Sequence, residues 1–424
     1  MRYSSLPVKG YLCSSICYHM RHLAFVILVL CAFSLSAQQF DESRLKQHIK
    51  VLASDSLMGR GTGTDGEKMA GSYIESEFRK LKLKPYGQSK SYLQSFPFKS
   101  GAHGEGEAGT ANNVAAYLDN KAQTTVIIGA HYDHLGTGTQ GSSLDANPQG
   151  KIHNGADDNA SGVAGVLELA RYFATNKTRE QNNFLFLCFS GEEMGLYGSK
   201  YFTENPTLDL TRVNYMINMD MIGRLDPQSR SLVVNGTGTS PVWEPLLKQL
   251  NTANLKISTD SSGIGPSDHT SFYLKNIPVL HFFTGSHSDY HKPTDDVEKI
   301  NFSGQADVLN LIARLIDNLD KEPKLAFLQT KAKPMASRSA FKVTMGVMPS
   351  YTSDGAGVKV DGVTDGRPGQ KAGVQTGDII IQMGDIEIKD IQDYMGALGK
   401  FDKGQTIPVK VKRGDEVVTL QVTF

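Results

Sequence analysis

Three things are scarce in this chain, and each scarcity removes a class of protein. Cysteine is the first: there are four, Cys13, Cys17, Cys31 and Cys188. Three of them precede the close Ser34-Leu35-Ser36-Ala37, so cleavage after Ala37 would leave Cys188 alone inside the apolar run FLFLCFS. A chain processed in this way cannot form an intramolecular disulfide. At this length it buries a core large enough to need no covalent staple. Surplus charge is the second absence. Lys and Arg number 44 and Asp and Glu number 44, so there is no electrostatic case for nucleic acid or an anionic membrane surface as partner. Long apolar runs are the third. Residues 23–35 are almost wholly apolar but too few for a comfortable membrane span.

That short run is informative for another reason. It follows Arg21 and His22 and ends in small residues before Gln38-Gln39, the pattern of a secretory signal peptide over residues 1–37. Met20 would be a natural start, which would make residues 1–19 a gene-start artefact. The expected location is therefore exported, periplasmic or secreted, with a short membrane anchor the less favoured alternative. A lipid anchor at Cys31 is disfavoured because Leu30 is bulky where such processing wants a small residue.

Five residues able to bind metal stand just past strand-like runs. They are His131 in GAHYDHLG, Asp158 in NGADDNASG, Glu193 in FSGEEMG, Asp220 in INMDMIG and His291 in SDYHKPTDD. Residues 125–128, 184–189 and 278–283 read as buried strands, and open α/β sheets bind ligands at the carboxyl ends of their strands. Ligands distant in sequence should thus meet on one sheet edge. Two His and three carboxylates without a thiolate suit Zn²⁺, and a shared carboxylate would let them hold two ions. Such a set points to hydrolysis by a metal-bound hydroxide.

Each motif has a plainer reading on its own. The helix expected over residues 161–173 buries Val163, Val166, Leu167, Ala170 and Phe173 at helical spacing. Asp157-Asp158-Asn159 at its start would serve as an ordinary N-cap, and Glu192-Glu193 as an acidic first turn. His134 and His153 read as loop histidines. Asp268 and His269 in GPSDHTSF receive no chemistry. His281 and His287 lie near the last motif without belonging to it.

Taken together and in order, HYDHLG, GADDNASGVAGVLELA, FSGEEMGLYGS, NMDMIG and YHKPTDD resemble the M28 family of zinc peptidases, whose best-known members are dizinc aminopeptidases. The resemblance covers roughly residues 45–320. It implies an α/β fold, an αβα sandwich with a mixed central sheet and metals at the strand ends. It implies that Asp158 bridges two zinc ions per chain, with His131 and Asp220 completing one and Glu193 and His291 the other. It makes Glu192 the general base and later acid. Asp133 is a candidate to accept the second ring N–H of His131. The substrates implied are peptides, cleaved at the N-terminus. Three alternatives stand beside this: a C-terminal exopeptidase, a glutaminyl cyclase-like transferase needing one zinc, and a non-catalytic peptide-binding scaffold. Retention of all five ligands and the base speaks against the last two.

Composition changes past residue 320. The peptidase-like domain is expected over residues 40–325, a basic, Ala/Ser-bearing linker over 326–337 and a small β-rich domain over 338–424. The last resembles bacterial PDZ domains, carrying Ala372-Gly373-Val374, Gly377-Asp378-Ile379-Ile380 and Gly384 in order. This implies strand addition by a peptide segment, or capture of a peptide C-terminus. The turn that would receive a carboxylate, Thr344-Met345-Gly346-Val347, departs from the usual motif.

Overall fold

Neighbouring residues in the buried runs part to opposite faces, as the two-residue period of a strand requires. The strand β4 (Thr124–His131, after β1 Lys84–Pro85, β2 Leu93–Lys99 and β3 Ala108–Leu118) sends Val126, Ile128 and Ala130 into one core and Ile127 into another. The strand β5 (Asn182–Phe189) likewise divides Phe184, Phe186 and Cys188 from Leu185, Leu187 and Phe189. Both faces of these strands are covered, which is why their sequences are apolar throughout rather than alternating. The computed structural model describes Met1 and residues 40–99, 107–139, 143–330, 343–349, 357–363, 366–389 and 391–424. The leader expected over 1–37 falls outside these beyond Met1.

The remaining strands of this sheet are β6 (Val213–Met219), β7 (Ser231–Asn235), β8 (Lys256–Asp260) and β9 (Val279–Phe283). Their order is β1-β3-β5-β4-β6-β9-β7-β8, with β2 paired to β3. At the centre β5, β4, β6 and β9 run parallel, whereas β3 is antiparallel to β5 and β7 to β9. The sheet is therefore mixed. The helices Glu42–Leu52, Asp65–Lys80, Gly162–Thr175 and Phe302–Leu319 bury Leu45, Ile74, Val166 and Leu311 in the first core. Phe202 and Phe272, from the short helices Tyr197–Glu204 and His269–Tyr273, fill the second. This is the αβα sandwich, and the four parallel strands end on one edge.

The residues Val163, Val166, Leu167, Ala170 and Phe173 are all in the first core. Among the described residues no helix is long and apolar enough to cross a membrane. The expected linker begins later than its composition suggests. Phe327 packs on Tyr273 at 5.5 Å between ring centroids, Leu328 N–H donates to Thr239 O at 2.8 Å, and Thr330 N–H donates to Tyr273 Oη at 3.0 Å. Residues 326–330 are thus part of the peptidase-like domain, because the Phe327 ring packs on it and the backbone of Leu328 and Thr330 is hydrogen-bonded to it, while the Leu328 side chain stays exposed. Residues 331–337 lie outside the described residues.

The C-terminal unit has its own core, from Val343 to Val422. Its strands are β10 (Val347–Pro349), β11 (Val358–Val363), β12 (Ile379–Met383), β13 (Ile386–Glu387), β14 (Thr406–Arg413) and β15 (Glu416–Thr423). They pair antiparallel in the order β10-β11-β12-β14-β15, with β13 on β12. Asp378 receives both Nε and Nη2 of Arg413, at 2.7 and 2.8 Å, and this forked pair ties β14 to the loop before β12.

Candidate metal centre

The parallel strands deliver the site. His131 is the last residue of β4, Asp220 follows β6 directly, Glu192 and Glu193 follow β5, and His291 lies in the loop after β9. Asp158 arrives from the turn before the helix Gly162–Thr175. All five predicted ligands meet at the carboxyl edge.

The triplet Asp157-Asp158-Asn159 divides its work by residue. Asn159 Oδ1 accepts from Gly162 N–H at 2.9 Å, so the cap role falls to Asn159 rather than to Asp158. Asp157 Oδ1 accepts from Gly223 N–H at 2.7 Å and Ser161 Oγ at 2.9 Å, fixing the turn to the segment after β6. From outside, Asp295 Oδ2 accepts the N–H groups of Asp157 and Asp158 at 3.0 and 3.1 Å. Asp158 is left with its own carboxylate free to face the histidines.

It faces two of them, one with each oxygen. Oδ1 is 3.4 Å from His131 Nε2 and Oδ2 is 3.2 Å from His291 Nε2. His131 Nε2 is also 3.3 Å from Asp220 Oδ1, and His291 Nε2 is 3.2 Å from Glu193 Oε2. Zinc bonds of about 2.0–2.1 Å at the tetrahedral angle put neighbouring ligand atoms about 3.3 Å apart. The spacing of these donors therefore suits two tetrahedral sites sharing Asp158. Burial opposes charge on His131 and on Asp158, yet the mixture of signs wins. The carboxylates of Asp220, Asp133 and Asp158 hold His131 well above the ordinary histidine range, and His134, His131 and His291 hold Asp158 well below the carboxylate range. Asp158 is thereby favoured in the deprotonated state a metal needs, whereas His131 must release the proton that its carboxylate neighbours stabilise before it can bind one.

The adjacent glutamates point to different tasks. Glu193 meets His291, whereas Glu192 lines the same cleft with its N–H turned to Asp133. Asp133 couples the two sides of the centre. Its carbonyl lies 3.2 Å from His131 Nδ1 with its carboxylate at 3.6 Å, so the carbonyl is the nearer acceptor for the ring N–H. Its carboxylate instead accepts from Glu192 N–H at 3.2 Å and from Thr62 Oγ1 at 2.8 Å. Beneath this loop Ser190 Oγ contacts the carboxyl of Glu67, which burial pushes up to about 8.

Sequence reasoning missed what the N-terminal segment contributes. Gly61 bridges His134 in parallel register, and His134 N–H donates to Arg60 O at 3.1 Å. Buried Arg60 donates to four carbonyls, those of Leu52, Asn154, Tyr132 and Gly155, at 2.6, 2.5, 2.8 and 3.0 Å. It thereby joins the loop after β4 to the turn that carries Asp158. Burial lowers its pKa to about 10, so it stays charged at neutral pH. His134, expected as a loop histidine, is fully buried with Nδ1 2.8 Å from Glu193 Oε1. His153 bonds Ser143 Oγ at 2.7 Å and does not line the cleft. His287 pairs with Asp157 at 3.2 Å. Asp268 and His269 are buried and do not line the cleft, although Pro266 does.

The five candidate donors line a cleft with about 450 Å³ of open space. Met221, Phe283 and Tyr290 supply an apolar wall, with Asn235 and His281 joined at 3.1 Å beside it. Tyr290 stacks on His291, ring centroids 3.9 Å apart, and so packs one wall residue onto a ligand.

Residues 113–316 match the model of peptidase family M28 and residues 343–424 that of the PDZ domain. Aminopeptidase YwaD of Bacillus subtilis is 29% identical over 223 residues, 49% of this chain and 44% of that protein. The chain spans about half the length of the curated relatives it matches. A Zn-dependent exopeptidase from Parabacteroides distasonis shares the fold at a TM-score of 0.55 and 18% identity, over 66% of this chain and 98% of that one. Glutaminyl cyclase of Porphyromonas gingivalis shares it at 0.53 and 19% identity, with the same two coverages of 66% and 98%.

Proposed function

From the premise that this chain carries a domain of peptidase family M28 followed by a PDZ domain, we propose that it is a zinc-dependent aminopeptidase working with two ions per chain. The observation that carries the reading is Asp158, whose two oxygens each face a different histidine while Asp220 and Glu193 complete the two sets. Zinc bound there supplies Lewis acidity toward a carbonyl and lowers the pKa of water. The side chains do the rest. Glu192, whose N–H donates to Asp133 and whose side chain lines the cleft beside the ligand set, takes a proton from the attacking water, then returns it to the leaving amine. The apolar wall of Met221, Phe283 and Tyr290 receives a substrate side chain and limits water in the cleft.

The cyclase alternative shares the fold and is separated by ligand count. Its single zinc leaves a full second set of donors without purpose, whereas both sets are complete here. A C-terminal exopeptidase would share the metals and differ in which substrate terminus it holds. A panel of peptides with free and acetylated N-termini, and free and amidated C-termini, tests the assignment through the identity of the first product. Release of the N-terminal residue from free but not acetylated peptides supports it. Cleavage that depends only on a free C-terminus contradicts it.

Export is part of the same proposal, and the apolar run 23–35 with its small-residue close supports a signal peptide over residues 1–37. The PDZ domain is proposed to bind an extended peptide segment by strand addition. Its β10 is a terminal strand of the described sheet. The N–H of Gly346, in the turn that would receive a carboxylate, is bonded to Thr344 Oγ1 at 3.1 Å, which favours an internal segment over a chain terminus.

A further inference from the structure

His134 stands three residues past the first ligand, and its donor distances separate two roles. A third histidine beside Asp158 and Glu193 could itself bind metal, since its Nδ1 and their oxygens form a close group. The spacing argues otherwise. Donors sharing a tetrahedral zinc lie about 3.3 Å apart, and His291 Nε2 meets that value at 3.2 Å from both Asp158 Oδ2 and Glu193 Oε2. His134 Nδ1 is 2.8 Å from Glu193 Oε1 and 3.9 Å from Asp158 Oδ2. The first distance is that of a charge-assisted hydrogen bond and the second is well beyond the tetrahedral spacing that His291 meets.

The two oxygens of Glu193 are thus divided: Oε2 faces His291 and Oε1 faces His134. The carboxylate is nearly inaccessible, 3% exposed, so an Oε1 without a donor would be a buried unpaired charge. The ring of His134 is fixed by its surroundings. Its backbone is bridged to residues 60–61, and its ring lies against Gly155, where an added Cβ would come within 2.5 Å of Cδ2. Gly155 has φ of 53°, a conformation that also favours glycine. Nε2 of His134 has no hydrogen-bond partner among the described residues, so Glu193 is the hydrogen-bonded polar contact that its ring makes there.

We propose that His134 is a positioning residue for the second metal site. It donates Nδ1–H to Glu193 Oε1, holding that carboxylate to one-oxygen ligation through Oε2. The inference rests on the dizinc reading above. Groups that orient a metal ligand typically change metal affinity about 10- to 100-fold when removed.

The test is zinc binding rather than turnover. Chelator-stripped protein is titrated with zinc against a competing chelator, comparing the wild type with His134→Ala and His134→Asn. The expected result is two ions in the wild type. His134→Ala should keep the ion held by His131, Asp158 and Asp220 at unchanged affinity and bind the other about 10- to 100-fold more weakly. His134→Asn, whose amide N–H can stand in for Nδ1–H, should recover most of that loss. Two ions of wild-type affinity in His134→Ala overturn the inference and leave the dizinc reading standing. Equal weakening of both ions with no recovery in His134→Asn also overturns it, because that is the result of lost packing. Fewer than two ions in the wild type would sink the dizinc reading and this inference with it.

Discussion

Asp158 Oδ1 lies 3.4 Å from His131 Nε2, and its Oδ2 lies 3.2 Å from the corresponding atom of His291. One carboxylate therefore spans two histidines delivered by different strands. Asp158→Ala should remove the donor common to both sites and reduce bound zinc at both, measured by metal analysis after gel filtration. A variant that keeps one ion at full affinity would show that the sites are independent. Asp158→Asn is a milder companion, since it keeps the shape but not the charge.

The two neighbouring glutamates should separate by metal content. Glu192→Gln leaves every ligand contact in place, so zinc should persist while turnover falls by about 10² to 10⁴-fold, the usual weight of a positioned acid/base. Glu193→Ala should instead weaken the ion shared with His291. Loss of metal in Glu192→Gln, with retention in Glu193→Ala, would invert the assignment.

Glu67 gives a pH prediction. Burial raises its carboxyl to about 8, from the ordinary glutamate value of 4.5. In the folded state it binds a proton that the unfolded chain has already released, so its contribution to stability is fully present below the unfolded pKa. That contribution is lost as pH rises through the folded value. Glu67→Gln, which keeps an uncharged side chain against Ser190, should melt with less pH dependence than the wild type between about pH 5 and 8. Parallel melting curves for the two proteins across that window would refute the buried acid. A fall in turnover alone would not decide it.

A chain ending after Thr330 should keep the peptidase-like domain whole, because Phe327, Leu328 and Thr330 are retained on their partners. It should cleave a chromogenic amino-acid amide at a rate near that of the full chain, with differences confined to longer peptides. A soluble, zinc-loaded truncation inactive on the small amide would show that the PDZ domain completes the active site.

Four of the five candidate ligands were legible because they follow strand-like runs that the parallel strands bring to one edge whatever their separation in sequence, whereas Asp158 enters from the turn before the helix Gly162–Thr175 and not from a strand end. The buried runs of β4 and β5 announced strands covered on both faces. What stayed hidden depends on contacts between distant segments. Arg60 looks like an ordinary polar residue until residues 59–61 are seen alongside the loop at His134, more than seventy positions away. His134 looked like a loop histidine because nothing local reveals that its ring reaches Glu193. The cap at Asp157-Asp158-Asn159 was real but belongs to Asn159, a choice set by which side chain turns toward Gly162. The linker boundary was misplaced because composition does not record that Phe327 packs on Tyr273.

The most direct test of the account is stepwise zinc loading of the stripped enzyme, with bound metal and amino-acid amide hydrolysis followed together. Two shared tetrahedral sets predict that binding ends at two ions per chain and that activity is completed only as the second is filled. Full activity at one ion, with no further gain at two, would contradict it.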